Sequence, residues 1–215
     1  MILHGYWRSG AAYRTRIALN LKGLTYDQQG VDLRIGAQRS EAFVALNPQG
    51  MVPALEVDGA VLTQSPAILE WLEEAHPKPP LLPADRVARA HVRAMAALIG
   101  CDIHPLNNLR VGKALRETFG ADQAAVDAWA ARWIAPGFTA LEALVAQHGK
   151  GWCFGGAPTL ADCYLIPQIY SARRFNVALD AFPRLLAIDE AAKQHPAFAA
   201  AHPDAQPDAD QSETG

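Results

Sequence analysis

Apolar and polar positions alternate in short runs through the first third of the chain, then settle into a helical period. Ile2 to Tyr6 is a short apolar stretch and reads as a strand. It breaks at Trp7-Arg8-Ser9-Gly10, and residues 11–22 read as a helix that stops at Lys22-Gly23, a C-cap pair. Residues 25–32 suit a second strand, and Glu41 to Leu46 a short helix before the turn Asn47-Pro48-Gln49-Gly50. Pro53 to Val57 and Ala60 to Thr63 flank Asp58-Gly59, a pair that suits a type I′ hairpin turn. Ser65 and Pro66 open the next helix as N-cap and first helical residue, with Ala67 to Glu74 as its body.

A proline-rich stretch, His76 to Asp85, holds four prolines in ten residues and reads as a linker. Beyond it the period is helical. Val92, Met95, Ala96 and Ile99 fall on one face, Asn107 to Leu115 continues after Pro105, and Ala125 to Gln147 is long and amphipathic. Thr159 and Asp162 have capping-box spacing, and Cys163 to Tyr170 is almost wholly apolar, as befits the centre of a bundle. From about residue 201 the chain is Ala, Pro, Asp, Gln and Ser and reads as a mobile tail. The expectation is an α/β domain over 1–78, an all-α helical domain over 86–200, and a tail over 201–215.

The chain has 215 residues, half of them hydrophobic, and a net charge of −3. That is enough for a sizeable core, and the scattered basic residues leave no nucleic-acid footprint. Of 19 basic residues 14 are Arg, which suits fixed-geometry carboxylate contacts and also a GC-rich genome. Cys101, Cys153 and Cys163 lack C-x-x-C spacing and read as buried thiols in a reducing compartment. With no signal peptide and no apolar run of about 18 residues, the expectation is a cytoplasmic protein with no membrane partner. No metal-ligand spacing or phosphate loop is present.

The candidate chemistry sits where the first strand meets the first helix. A helix N-terminus presents N–H groups and a positive dipole end, which stabilise an anion, and Ser9 adds a hydroxyl. Ser9 is equally suited to be a plain N-cap. The order strand-helix-strand-helix-hairpin-helix, with Val52-Pro53 before the hairpin, resembles a thioredoxin-like domain. Val52 is then extended, able to hydrogen-bond a peptide as an added strand, across a bond that proline allows to be cis. Gln64-Ser65 offers a second anion pocket. Glutathione has a thiol, an amide and a distal carboxylate at suitable separations.

The whole chain resembles the cytosolic glutathione transferases, most closely their zeta class, which includes maleylacetoacetate and maleylpyruvate isomerases. The resemblance is carried by Arg8 to Leu19, Leu46 to Pro53, Gln64 to Ile68, Asp102 to Arg110 and Ser171 to Phe175. Two signature positions differ: Gly10 replaces a Ser and Ala11 a Cys. Glutathione brings its own sulfur, so that Cys is an auxiliary contact.

The resemblance implies a thioredoxin-like domain plus a helical bundle, glutathione as cofactor, a small dicarboxylate substrate and a homodimer. It implies cis–trans isomerisation of a maleyl-oxo diacid, with maleylacetoacetate as the commoner assignment and maleylpyruvate as the alternative. General glutathione conjugation, α-haloacid dehalogenation and non-catalytic glutathione binding remain open. Ser9 is the expected donor to the sulfur. Arg8, Arg110 and Arg174 are the expected holders of carboxylate or enolate oxygens, where an ordinary arginine makes a surface ion pair. Gln38 stands where relatives often carry a basic residue near the glycine carboxylate. Gln49, Val52, Pro53, Gln64, Ser65, His104 and Asn108 are the remaining glutathione candidates, with Asn107 as a turn cap and Asp162 in folding.

Overall fold

A computed structural model describes residues 1–209. Two compact units divide at Pro80/Leu81, and the segment that begins at Lys193 belongs to the first unit.

The first unit is built on a four-stranded sheet in the order β2-β1-β3-β4. β1 (Ile2–Gly5) runs parallel to β2 (Asp27–Gly30) and antiparallel to β3 (Ala54–Val57), which turns back into β4 (Ala60–Thr63). Asp58 and Gly59 both have positive φ, 50° and 79°, as the type I′ turn requires. β2 is shorter than the strand expected over 25–32 and lies at the sheet edge, paired with β1. The expected helices are α1 (Gly10–Leu21), α2 (Glu41–Leu46) and α3 (Ser65–Ala75).

Helix α1 is buried continuously from Ala12 to Leu19 because α3 packs on it and so does α9 (Pro196–Ala201). A side chain at Gly5 would place its Cβ 3.2 Å from the Cβ of Ala12, so these two small residues let the helix lie close to the strand. Lys22, just past α1, ties the unit together: its Nζ donates to Glu73 Oε2 at 2.5 Å and to the Pro79 carbonyl at 2.8 Å.

The second unit is helical: α4 (Arg86–Ala97), α5 (Leu109–Phe119), α6 (Gln123–His148), α7 (Leu160–Arg174) and most of α8 (Pro183–Gln194). Between α4 and α5 a π-helical turn, Leu98–Ile103, runs into a 3-10 turn, His104–Asn107. Val92, Met95, Ala96 and Ile99 are buried together, as their period predicts. α7 is buried from Leu160 through Ile169 and packs against α4 and α6. Its capping box is present, and Asp162 accepts from Thr159 N, Thr159 Oγ1 and Cys153 N at 2.7–2.8 Å.

Three expectations are corrected. Residues 201–209 are not a loose tail: α9 ends at Ala201, a 3-10 turn follows over Pro203–Ala205, and Gln206 is buried. Two of the polar side chains that made this segment look solvated, Gln206 and Asp208, find partners in Gln28 and the Trp7 backbone instead. Residues 210–215 of the expected tail lie outside the described residues. Cys153 and Cys163 are buried, but Cys101 is exposed on the π-helical turn. The cap of α3 falls on Gln64 rather than Ser65, which is the first helical residue. Among the described residues no helix is long and apolar enough to cross a membrane.

Candidate active site

Ser9 is the N-cap of α1, with extended backbone, and its Oγ accepts from the Ala12 N–H at 3.3 Å. That bond uses a lone pair, so the hydroxyl hydrogen remains available to a further acceptor. The turn before it is closed by Ser9 N donating to the Tyr6 carbonyl at 2.9 Å. The Gly10 and Ala11 amides head the helix with no intrahelical carbonyl to bind, so donors and the dipole converge on one spot. The Arg8 guanidinium lies over the Trp7 ring, 4.8 Å from its centroid. Asp32 is held below the usual carboxylate range chiefly by hydrogen bonds from Arg34, with Arg8 adding a weaker attraction.

The second candidate pocket belongs to the same unit. Gln64 has φ +65° and makes no side-chain cap bond. Its Nε2 donates to Gln49 Oε1, which brings two of the predicted residues together. Because Ser65 does not cap the helix, its Oγ accepts from Arg14 Nη1 at 3.4 Å, inside the core. A buried arginine therefore stands behind the start of α3. The Val52–Pro53 bond is cis. Gln38 lies in a 3-10 turn, Ala37–Arg39, with its Oε1 buried and lacking a hydrogen-bond partner among the described residues. Its backbone carbonyl would be 3.1 Å from a Cβ at Gly50, whose φ of +60° also favours glycine. That close approach sets Gln38 beside the turn that carries Gln49.

These residues fit glutathione. The start of α1 offers an O–H and amide donors for a sulfur anion, while Gln64, Ser65 and the Arg14 charge suit a carboxylate. The fold brings Ser9, Arg8, Gln38, Gln49, Val52, Pro53, Gln64 and Ser65 into one unit.

The remaining candidates belong to the helical unit. His104 begins the 3-10 turn ahead of α5. The cap falls on Asn108, not on Asn107. Asn108 is the N-cap of α5, its Oδ1 accepting from Arg110 N at 3.1 Å, whereas Asn107 is buried, its Nδ2 without a partner among the described residues. Arg110 sits in the exposed first turn of α5 and Arg174 is exposed at the end of α7. Arg173, its neighbour, pairs with Asp189 at 2.6 Å. Arg14 and Arg16, both buried, lie outside the expected site residues. The available signal was two arginines, two apart, inside a helix whose flanking positions are mostly apolar.

Residues 8–75 match the family model of the glutathione S-transferase N-terminal domain, and residues 123–200 that of the C-terminal domain. A maleylpyruvate isomerase from a Ralstonia species is 55% identical over 97% of this chain and 99% of its own length. A maleylacetoacetate isomerase from Pseudomonas aeruginosa is 53% identical over 97% and 98%. The structure of a maleyl pyruvate isomerase, described as a bacterial zeta-class glutathione S-transferase in holo form, superposes with TM-score 0.96 at 54% identity over 98% of this chain and all of that one. A maleylacetoacetate isomerase from Anaeromyxobacter dehalogenans with glutathione bound in the active site gives 0.88 at 47%, over 97% of each chain.

Proposed function

This chain belongs to the glutathione S-transferase family and its zeta class, and from that membership we propose that it is a glutathione-dependent cis–trans isomerase of a maleyl-oxo diacid. The observation that carries the reading is the start of α1, where Ser9 caps the helix with its oxygen and keeps its hydrogen for a sulfur.

Glutathione, when bound, supplies a sulfur nucleophile that adds reversibly across the conjugated double bond. A free thiol has a pKa of about 8.5, and a helix N-terminus with a hydroxyl donor lowers it. Ser9 holds the sulfur ionised. Arg8 offers paired N–H donors to the oxygen on which charge develops during rotation. Gln64 and Ser65 hold the γ-glutamyl carboxylate, with Arg14 behind Ser65 adding positive potential. Gln49 steadies Gln64. Gln38 serves the glycine end, and Val52 the peptide backbone. Arg110 and Arg174 anchor substrate carboxylates, and His104 contacts ligand. Asn108 adds a carboxamide N–H donor, its oxygen being committed to the α5 cap. The working form is a homodimer.

Maleylacetoacetate and maleylpyruvate share the maleyl-oxo head and differ at the far end. Frequency within the family favours the first. The relative at 55% identity and the structure at TM-score 0.96, both maleylpyruvate isomerases, favour the second. The test is the ultraviolet absorbance of each compound with and without glutathione. Decay that requires glutathione supports the isomerase and names the substrate. No decay with either compound, alongside retention on glutathione resin, supports a binding protein instead.

A further inference from the structure

The turn that presents Ser9 is held from behind by the end of the chain. Asp208 Oδ2 accepts the Trp7 backbone N–H at 3.0 Å. The Trp7 carbonyl, on the other side of the same residue, accepts from Arg16 Nη2 at 3.0 Å. Arg16 is itself fully buried, and its Nε donates to the Ala201 carbonyl at 3.0 Å. Both polar groups of the Trp7 backbone are thus fixed by residues 201–208 or by a side chain bonded to them.

The segment is seated along its length. Gln206 is buried, its Nε2 donates to the Ala200 and His202 carbonyls, and Gln28 Nε2 donates to its Oε1 at 2.7 Å. The His202 ring stands edge-on to Tyr13, with centroids 6.0 Å apart. A Cβ at Gly30 would lie 3.4 Å from that of Asp208, so the absence of a side chain at the end of β2 leaves room for the carboxylate.

We propose that residues 201–208 form a strap whose Asp208 is a positioning residue for the glutathione turn. Trp7 carries consequences in both directions. Its ring lies beneath the Arg8 guanidinium, and its backbone lies inside the turn that Ser9 N closes onto the Tyr6 carbonyl. Fixing its backbone therefore sets the places of the sulfur's donor and of the charge that meets the diacid. Asp208 touches neither ligand in this role. It acts through geometry, and displacement of such groups by about 1 Å is enough to cost large factors in rate.

The inference rests on glutathione binding at the start of α1, and the test separates the two. Wild type, Asp208→Ala and Asp208→Asn are compared as full chains. Glutathione affinity is read by calorimetry, the bound thiol's titration by ultraviolet absorbance, and Trp7 amide exchange without ligand by NMR. If wild type takes up no glutathione, the function proposed above fails, and the exchange rates still test the strap.

Asp208→Ala is expected to speed Trp7 amide exchange, weaken glutathione about tenfold and move the thiol titration upward. Asp208→Asn, which keeps an acceptor, is expected to restore most of each. The direction is diagnostic. Loss of negative charge alone favours the thiolate and moves the titration down, so a downward or absent shift in Asp208→Ala overturns the proposal. Should that variant fail to fold, Asp208→Glu keeps the charge, moves the acceptor outward by one methylene, and is expected to shift the titration up. No change in titration or exchange with Glu overturns the proposal equally.

Discussion

Ser9 caps α1 and is the proposed donor to the sulfur, and substitution can separate the two. Alanine removes both the cap and the donor, so Ser9→Ala is expected to lose about 1 kcal/mol of stability and to raise the bound thiol's titration midpoint by about one pH unit. Glycine is a tolerable N-cap without a hydroxyl. Ser9→Gly therefore keeps most of the stability but shows the same titration change; an unaltered titration in both variants removes Ser9 from the mechanism. Arg110 is tested by contrast between substrates. Arg110→Ala is expected to raise KM for the diacid about tenfold or more and to leave a neutral conjugation substrate nearly unaffected. Equal effects on both count against carboxylate anchoring. At this scale the sequence was most informative where one residue type has one physical use. Asp58-Gly59 could be read as a hairpin turn because few residues tolerate positive φ. Arg14 could not, since a long cationic side chain on a helix is ordinarily solvated and only the packing of α1 shows it buried.

Among the elements, α7 depends most visibly on a single side chain. Asp162 satisfies three donors in a site sealed from water. Asp162→Ala leaves Thr159 N and Cys153 N without that acceptor, and an expected loss of about 3 kcal/mol or more follows, measurable by denaturant unfolding. Burial raises the Asp162 pKa, although its hydrogen bonds from Cys153 and Thr159 oppose that rise. The folded chain then binds this proton more tightly than the unfolded one. The associated stability is complete below the unfolded pKa and is lost as pH rises through the folded value. Thermal melts are accordingly expected to show wild type's margin over Asp162→Asn narrowing upward from the ordinary carboxylate range; a margin that widens contradicts the assignment. The capping box was legible because its spacing is local, three residues along one helix start. The cap of α3 was misplaced by one residue because Ser-Pro is an equally good local signal at either register, and the bond from Arg14 is absent from any local pattern.

For the molecule as a whole, binding in the folded state alone raises stability by mass action. Glutathione at about a hundred times its dissociation constant contributes about 2.7 kcal/mol, which for a chain of this length raises Tm by about 5–10 °C. A Tm that ignores glutathione speaks against a site formed by the native fold. The proposed homodimer is checked by sedimentation across a range of concentrations, where a monomer at all concentrations refutes it. The units divide at Pro80/Leu81, inside the proline-rich stretch. That stretch gave no hint that the chain returns, from Lys193 onward, to the unit where it began.

The amino-acid sequence by itself determined the order of elements from β1 to α3, the hairpin, the apolar centre of α7 and the family to which the chain belongs. Each rests on a period, a turn pair or a motif contained within a few consecutive residues. Only the tertiary structure decided that Arg14 backs Ser65, that Asn108 rather than Asn107 caps α5, and that Asp208 holds Trp7. The physical reason is separation along the chain. Asp208 and Trp7 are 201 positions apart, and a bond between a carboxylate and a backbone N–H leaves no trace in the local pattern of either segment. A polar, proline-bearing ending looks solvated until the groups it satisfies are seen in place.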